Sequence, residues 1–486
     1  MTLGELFGHD ANLPDSLRYL PISGLAADSR EVKPGYLFAA LPGVNTDGAR
    51  FIADALQRGA AAILVPEGAM LEAGSAAVVA DSDPRRRLAL IAARFFGAQP
   101  ETTVAVTGTN GKTSVASFVR QLWSGEGLKA ASLGTVGLVS PSSVKPLAHT
   151  TPDPIELHRI LAALAADGVT HLAFEASSHG LQQRRLDGIR LAAGAFTNIS
   201  RDHLDYHPSF DDYFAQKLRL FTELLPQGAA AVIDVDTEPG KGLAAVADAR
   251  GLKLVTVGWS GTSLRLLSAE RDGFSQVLTI EHDGEAHQVR LPLVGAFQAS
   301  NALVAAGLVM ATGSSAATVL PALQSLRGAR GRLDLAGKGR GGAPIFIDYA
   351  HTPDALAKAL DALRPYVERR LVVVFGCGGD RDKGKRPEMG KVAVAKADRA
   401  IVTDDNPRSE DPAEIRREIL ADAPGALEIG DRAAAIAEAI GGLERGDVLL
   451  VAGKGHETGQ TVGTKVIPFS DHDAVAAALK QEATCG

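Results

Sequence analysis

The chain has 486 residues, of which 45% are hydrophobic, and its formal net charge is −7. A chain of this length exceeds a single hydrophobic core and predicts about three domains, while the negative charge argues against a general nucleic-acid binder. Two distant cysteines, a start without the basic region of a signal peptide, and apolar runs shorter than the roughly 18 residues of a membrane span predict a cytoplasmic protein.

Residues 1–98 form the first predicted domain, with strand and helix signals of their own. Gly35–Leu41 and Ala61–Val65 are predicted strands, separated by turn residues and a short helix. On this pattern alone, Ser29 and Asn45 to Thr46 are interpreted as ordinary turn residues.

A second predicted domain, residues 99–330, carries the clearest chemical signal. Val104–Val106 is a short buried strand, and a helix follows from Lys112. Between them, Gly108 and Gly111 let backbone N–H groups turn toward a bound anion without a Cβ in the way. The helix start adds its dipole and unpaired amides, so this stretch predicts a phosphate-binding loop.

Two side chains of this loop strengthen the prediction. Lys112 is placed to neutralise outer phosphates, and the hydroxyl of Thr113 is placed to hold a magnesium ion. The general pattern G-x-x-x-x-G-K-[ST] has a glycine where this chain has Val106, so only the shorter Gly-Thr-Asn-Gly-Lys-Thr is present. A strand-to-helix turn without a ligand is the alternative interpretation.

Later strands of this domain deliver polar residues to the same edge. His171–Phe174 is followed by Glu175, and Ala193–Ile199 is followed by His203. Because the carboxyl ends of parallel strands share one rim, both side chains are expected beside the phosphate loop. Lys217 lies in a helical stretch, where a lysine taken alone is interpreted as a solvated surface residue.

The third predicted domain, residues 331–486, again alternates strands and helices. Its strands end in polar clusters at residues 348–351, 376–381, 404–408 and 453–457. Tight glycine packing is the alternative for any one of these turns, but together they predict a ligand-binding sheet edge. Before this domain, residues 251–293 alternate apolar and polar positions and predict antiparallel strands with turns at Asp272-Gly273 and Asp283-Gly284.

These clusters, in this order and over essentially the whole chain, resemble the Mur ligases of peptidoglycan synthesis. The resemblance implies an α/β fold of three domains. These are a small N-terminal α/β domain binding a UDP-muramoyl substrate, a central P-loop parallel-sheet ATPase domain, and a C-terminal Rossmann-like domain binding an amino acid. It also implies ATP and Mg²⁺ as cofactors, small-molecule partners and a monomer.

By the same resemblance, one set of residues forms the ATP site: Gly108, Thr109, Asn110, Gly111, Lys112, Thr113, Ser114, Asn301, Arg332 and Asp348. Ser114 stands where the family often has a second threonine. Thr113, Glu175, His203 and Lys217 are similar to the family's magnesium ligands, and Lys112, Lys217, His203 and Glu175 are the implied catalytic residues.

Lys217 matches a lysine that the family carries as a carbamate, N6-carboxylysine. A neutral amine captures carbon dioxide and becomes an anion that can bind magnesium. An unmodified lysine, with a pKa of about 10.4, would repel the ion.

Two further sets of residues are implied for the other substrates. The UDP-muramoyl-dipeptide would meet Ala27, Ser29, Val44, Asn45, Thr46, His149, Thr150, Thr151, Ser177, Gln183 and Arg185, with His149 standing where the family usually has asparagine. The amino acid would meet Arg381, Asp405, Asn406, Pro407, Arg408, Gly453 and Glu457.

The run Asp405-Asn406-Pro407-Arg408 resembles the signature of family members that add meso-diaminopimelate. Diaminopimelate differs from lysine by one carboxylate, which Arg408 can grip bidentately, and Glu457 suits the distal ammonium. The implied activity is ATP-dependent addition of meso-2,6-diaminopimelate to UDP-N-acetylmuramoyl-L-alanyl-D-glutamate through an acyl phosphate. The alternatives are a lysine-adding Mur ligase, a folylpolyglutamate synthetase-like ligase, and a non-catalytic nucleotide-binding regulator.

Overall fold

The computed structural model describes residues 1–8, 13–43, 47–69, 74, 76–200 and 206–485. It divides into two compact units. The first comprises Met1–Leu266, Glu281–Glu285 and Ser300–Leu320, and the second comprises Leu267–Ile280, Ala286–Ala299 and Pro321–Gly486. Mostly parallel sheets with helices between their strands confirm the predicted α/β class.

The helices are α1 Leu3–Phe7, α2 Asp15–Arg18, α3 Ile52–Gln57, α4 Pro84–Phe96, α5 Lys112–Gly125, α6 Pro154–Ala166, α7 Ser178–Gln182, α8 Phe210–Arg219, α9 Glu238–Ala249, α10 Ala296–Ala311, α11 Ala316–Ala322, α12 Pro353–Leu363, α13 Lys385–Lys396, α14 Pro412–Leu420, α15 Arg432–Gly441 and α16 Asp471–Cys485. Within the described ranges, none is long and apolar enough to cross a membrane.

The strands are β1 Gly24–Ala26, β2 Tyr36–Ala39, β3 Ala62–Pro66, β4 Ala77–Asp81, β5 Thr102–Thr107, β6 Ala130–Gly134, β7 Gly137–Val139, β8 Val144–Lys145, β9 His171–Glu175, β10 Ala193–Phe196, β11 Ala230–Asp234, β12 Lys253–Gly258, β13 Leu264–Asp272, β14 Ser275–His282, β15 Glu285–Leu291, β16 Asp334–Lys338, β17 Pro344–Asp348, β18 Leu371–Phe375, β19 Arg399–Val402, β20 Leu427–Glu428, β21 Val448–Ala452, β22 Gly459–Val462 and β23 Lys465–Pro468. The turns predicted at Asp272-Gly273 and Asp283-Gly284 separate β13, β14 and β15.

The N-terminal sheet of the first unit runs in the order β1-β2-β3-β4, with parallel neighbours. Alternate residues of its strands enter two different cores. Leu37 packs in a core with Leu6 of α1 and Leu88 of α4, whereas Phe38 packs in a core with Ile52 of α3. The sheet is therefore covered on both faces, as expected for parallel strands.

The central sheet of the first unit places β5 between β9 and β10, and all three strands are parallel. Val106 pairs with Glu175, and Thr107 pairs with Phe196. The loops after these three strands therefore start side by side at one edge, which is where the phosphate loop was predicted. Strand β10 ends at Phe196, three residues earlier than the predicted Ile199.

The sheet of the second unit runs in the order β16-β17-β21-β18-β19-β20. Strands β17, β21, β18 and β19 are parallel, so the four predicted polar clusters all leave from one edge. Strand β16, which pairs antiparallel with β17, and the separate antiparallel hairpin β22–β23 were not predicted from the sequence.

Candidate functional site

The phosphate loop joins β5 to α5 as predicted. Gly108 and Gly111 have φ angles of +144° and +89°, a range that residues other than glycine rarely adopt. A Cβ would lie 2.0 Å from Thr197 Oγ1 at the first glycine and 2.3 Å from Asn301 Oδ1 at the second. Both backbone conformation and space therefore require glycine at these positions.

Neighbouring residues hold the loop through its main chain. Asn198 accepts hydrogen bonds from Thr109 N at its backbone oxygen (2.8 Å) and from Asn110 N at its side-chain oxygen (3.0 Å). The Lys112 amine donates to the carbonyl oxygens of Gly108 (3.0 Å) and Thr109 (2.9 Å). The lysine amine thus lies against the loop backbone near the start of α5, where the helix dipole favours an anion.

Glu175 ends β9 and is buried at the same sheet edge. Its Oε1 accepts a hydrogen bond from Thr135 N (2.7 Å), and its Oε2 accepts one from the Thr135 hydroxyl (3.1 Å). A Cβ at Gly134 would lie 2.1 Å from Glu175 Oε1. The turn after β6 therefore fixes the orientation of this carboxylate.

Lys217 lies on α8 and is only 1% exposed, so its interpretation as a surface residue is wrong. Its amine donates to the Gly108 carbonyl (2.7 Å) and lies 4.4 Å from the ring centre of Tyr213, whose hydroxyl is 3.0 Å from Thr109 Oγ1. The fold therefore brings this lysine to the phosphate loop from more than a hundred residues away in the sequence.

Predicted substrate residues form a hydrogen-bonded group in the first unit. The Thr151 and Ser177 hydroxyls are 2.9 Å apart, and Arg185 donates to the Thr151 carbonyl and to Gln183 Oε1 (2.8 Å). The Thr150 hydroxyl lies 3.1 Å from that of Thr135, which also contacts Glu175. Thr150 is therefore linked to the Glu175 carboxylate through Thr135, while the Thr151 hydroxyl donates to the main-chain oxygen of Glu175 (2.9 Å).

Other predicted substrate residues lie elsewhere or outside the described residues. Ala27 is exposed just after β1, and the buried Ser29 bonds to Asp54. His149 is exposed. None of these three takes part in the hydrogen bonds that gather Thr151, Ser177 and Arg185. Val44, Asn45, Thr46 and His203 lie outside the described residues.

The predicted nucleotide residues of the second unit lie at the end of β17. Asp348 accepts hydrogen bonds from Leu333 N (2.7 Å) and Ala350 N (2.8 Å), and burial raises the pKa of its carboxyl above the ordinary value. The Arg332 guanidinium lies 4.7 Å from the ring centre of Tyr349. Asn301, predicted for the same ligand, lies beside Gly111 in the first unit.

The predicted amino-acid loop follows β19, and Arg408 has a left-handed backbone with φ +50°. Its Nη1 donates to the Gly379 carbonyl (2.7 Å), so the loops after β18 and β19 meet through this guanidinium. The packing is close, since a Cβ at Gly379 would lie 2.0 Å from the Pro407 carbonyl oxygen. Arg381 lies exposed in the first of these loops.

A buried polar group joins this loop to the turn after β21. The Lys454 amine, in a residue with 0% exposure, donates to Asn406 Oδ1 (3.1 Å) and Glu457 Oε2 (2.8 Å). Asn406 Nδ2 donates to the same glutamate oxygen (2.9 Å). A Cβ at Gly453 would lie 2.8 Å from Asp405 Oδ2. Every predicted residue of this set except Arg381 therefore takes part in a described contact.

Several residues of these sites were missed by sequence analysis. Thr135 follows a strand that was not identified, and Lys454 was seen only as part of a polar turn. Tyr213 could have been found, because it precedes Lys217 by four residues and shares its helix face. Among the described residues, no group of three His, Cys, Asp or Glu side chains is gathered to hold a metal.

Comparison with known proteins agrees with the family resemblance seen in the sequence, over 99% of the chain. The family models described as Mur ligase middle domain, Mur ligase glutamate ligase domain, and Mur ligase family catalytic domain match residues 106–309, 331–455 and 21–96. The UDP-N-acetylmuramoyl-L-alanyl-D-glutamate--2,6-diaminopimelate ligase of Bradyrhizobium diazoefficiens is 59% identical, with 99% of each chain covered.

Solved structures agree with this likeness. A structure of a UDP-N-acetylmuramoyl-L-alanyl-D-glutamate--2,6-diaminopimelate ligase matches 99% of both chains with a TM-score of 0.74 and 31% identity. A Mycobacterium tuberculosis folylpolyglutamate synthase complexed with ADP and AMPPCP has a TM-score of 0.60 and 19% identity, and covers 76% of this chain and 92% of its own. That second likeness concerns the fold alone.

Proposed function

The chain belongs to the Mur ligase family, and we propose that it joins meso-2,6-diaminopimelate to UDP-N-acetylmuramoyl-L-alanyl-D-glutamate in peptidoglycan synthesis, using ATP. The observation that carries this proposal is the 59% identity, over 99% of both chains, to a relative named for that reaction. The Asp405–Arg408 loop supports the choice of diaminopimelate over lysine, because Arg408 supplies a cation for the additional carboxylate.

The proposed reaction is an amide synthesis in two steps. The D-glutamate side-chain carboxylate attacks the γ-phosphorus of ATP, which gives an acyl phosphate and ADP. A neutral amine of diaminopimelate then attacks the acyl carbon, the C–O bond to phosphate breaks, and the amine proton leaves. Such catalysis depends on positioning and charge neutralisation.

In the first step, the phosphate loop binds and orients the triphosphate. The main-chain amides at the start of α5 bind the phosphates, and Lys112 exchanges the Gly108 and Thr109 carbonyls for phosphate oxygens. Thr151, Ser177 and Arg185 hold the muramoyl-dipeptide close to Glu175 through the hydrogen-bonded group described above.

The residues fit magnesium in part. Thr113, Glu175 and Lys217 as a carbamate would supply oxygen ligands, the type that Mg²⁺ prefers, and His203 is the fourth residue proposed. Glu175 already points to this edge because Thr135 holds both of its oxygens. When bound, the ion would neutralise charge that develops on the transferred phosphate.

In the second unit, the amino acid is proposed to bind at the edge formed by the loops after β18, β19 and β21. Arg408 and Arg381 would face carboxylates, and Glu457 would face the distal ammonium. Asn406 and Lys454 hold Glu457 in place, so they act as positioning residues.

The domain limits 1–98, 99–330 and 331–486 also remain a proposal. Each family model falls inside one of these ranges, which supports them. We also propose a monomer, as the family resemblance implies, located in the cytoplasm, where ATP and nucleotide-linked precursors are present.

Phosphate release by the purified protein tests the function. We expect release only when ATP, muramoyl-dipeptide and diaminopimelate are all present, and tripeptide should appear by mass spectrometry. Lysine in place of diaminopimelate should give little product. Equal use of lysine would favour the lysine-adding alternative, and nucleotide binding without any acceptor-dependent turnover would favour a non-catalytic regulator.

A further inference from the structure

The hairpin β22–β23 contacts the predicted diaminopimelate loop directly. It forms a two-stranded sheet of its own, and its outer side chains are exposed, with Val466 at 69% and Ile467 at 49%. This exposure gives the hairpin little part in a hydrophobic core. Its hydrogen bonds to the loop are therefore the feature that requires an explanation.

Main-chain bonds from the hairpin enclose Arg408 on both sides. Arg408 N donates to the Thr461 carbonyl (3.0 Å), and Gly463 N donates to the Arg408 carbonyl (2.6 Å). Arg408 has φ +50°, a conformation that is unfavourable for a residue with a Cβ and that persists when surrounding contacts fix it. These two bonds supply such contacts.

The hairpin also holds the two residues that begin the signature. Gln460 Nε2 donates to the Asp405 carbonyl (2.6 Å), and Thr461 N donates to Asn406 Oδ1 (2.9 Å). Hydrogen bonds from three hairpin residues, Gln460, Thr461 and Gly463, thus fix the loop from Asp405 to Arg408. The Arg408 side chain then continues to Gly379, where the neighbouring loop meets it.

We propose that β22–β23 is a specificity device of the ligase, with Gln460 as a positioning residue that sets where the Arg408 guanidinium meets the additional carboxylate of diaminopimelate. This inference rests on the proposed function. The direction of a side chain follows from its backbone conformation, so releasing Arg408 from its left-handed state moves the guanidinium. Lysine carries no such carboxylate, so turnover with lysine as the substrate should not depend on where the Arg408 guanidinium lies.

The test compares Gln460→Met and Gly463→Ala with the unaltered enzyme in the complete reaction. Methionine keeps the length of the side chain but removes the donor to Asp405. Alanine strains the φ of +57° at Gly463, where no neighbouring atom lies near the added Cβ. Thr464→Ala is the matched control, because Thr464 is exposed in the same hairpin turn.

For Gln460→Met we expect the KM for diaminopimelate to rise about fivefold, the effect of one lost hydrogen bond, and for Gly463→Ala we expect a similar rise from the strained backbone. The kcat, the KM for ATP and the KM for the muramoyl-dipeptide should stay within about twofold of their starting values. Residual use of lysine, measured at high concentration, should not change, so that the preference for diaminopimelate falls. Thr464→Ala should match the unaltered enzyme.

Two results would overturn the inference. One is an unchanged KM for diaminopimelate in both variants. The other is an equal loss for every substrate with a lower melting temperature, which would indicate a purely structural role. The unaltered enzyme separates these from a failure of the proposed function: if it does not use diaminopimelate at all, the function itself is wrong.

Discussion

The phosphate loop and the diaminopimelate loop both need backbone in the left-handed region, and they obtain it differently. At residues 108 and 111 the chain uses glycine, so the cost of positive φ is removed within the loop itself. At residue 408 the chain uses arginine, and hydrogen bonds from a hairpin more than fifty residues later hold the conformation. The first loop depends on composition, whereas the second depends on tertiary contacts.

The largest expected effect comes from removing glycine at the phosphate loop. Gly111→Ala forces a Cβ to within 2.3 Å of Asn301 Oδ1 and strains a φ of +89°. We expect kcat/KM for ATP to fall by roughly a hundredfold or more, because a misplaced phosphate site loses both binding and alignment. Steady-state kinetics with varied ATP checks this.

A second glycine on the same helix serves as the control for this change. Gly125 ends α5, and a Cβ there would meet nothing within 4 Å. Gly125→Ala should leave the kinetics unchanged. An equal effect of the two substitutions on ATP kinetics would contradict the role given to the loop.

The next effect concerns the charge that the second loop presents. Arg408→Ala should reduce the preference for diaminopimelate over lysine by about thirtyfold, or roughly 2 kcal/mol, the size of a hydrogen bond to a charged group. The measurement is the ratio of the two kcat/KM values. An unchanged ratio would remove Arg408 from the specificity site.

Replacing Arg408 with asparagine tests the role of the guanidinium separately from that of the left-handed backbone. Arg408→Asn should lose the same preference, because the cation is gone, while unfolding stability stays close to the starting value. Asparagine tolerates the left-handed region better than most residues do. A variant that unfolds readily would show that the side chain, rather than the hairpin, maintains this part of the unit.

The unfolding stability of the protein is expected to depend on pH through Glu410, which lies next to the second loop. Hydrogen bonds from the buried Arg386 guanidinium lower the pKa of Glu410 to about 2. Because the pKa of Glu410 in the folded state lies below its ordinary value of 4.5, the unfolded state binds more protons between these two values. This contribution to stability is present above pH 4.5 and is lost as the pH falls toward 2.

Glu410→Gln tests this dependence. The variant should be less stable near neutral pH, and its denaturant unfolding should vary less between pH 4.5 and 2 than that of the unaltered protein. The control is Glu414→Gln on α14, whose partner Arg417 is exposed. Identical pH profiles for Glu410→Gln and the unaltered protein would contradict the assignment.

The smallest expected effect is on stability alone. Gly125→Ala, the kinetic control above, should raise the free energy of unfolding by about 0.5–1 kcal/mol, since alanine is the better helix former. Urea unfolding followed by circular dichroism is the measurement. A loss of stability would mean that Gly125 has a role its open surroundings do not show.

These two loops also differ in how far sequence analysis could predict them. Strand, glycines, lysine and helix stand together between residues 104 and 112, so the phosphate loop and its neighbours β9 and β10 were predicted from local pattern. The polar residues that follow its strands also predicted the ligand-binding edge of the sheet in the second unit. The left-handed Arg408 and the hairpin that holds it were not predicted, since no local signal connects residues 408 and 461.

The burial of two lysines was not predicted from the sequence. Lys217 and Lys454 are both buried, although a lysine in a helix or a glycine-rich turn is normally exposed. Their burial depends on partners that are distant in sequence, Gly108 for the first and Asn406 for the second. Only the family resemblance assigned a role to Lys217, and the carbamate stays a prediction.

The burial of Lys217 has a consequence for its chemistry. At 1% exposure, its amine is out of reach of bulky electrophiles such as activated esters, whereas carbon dioxide is small and uncharged. We therefore expect acylating reagents to label the surface lysines of the folded protein and to spare this one until the chain is denatured. Burial would then exclude larger reagents from Lys217 while still allowing carbon dioxide to form the carbamate proposed for this side chain.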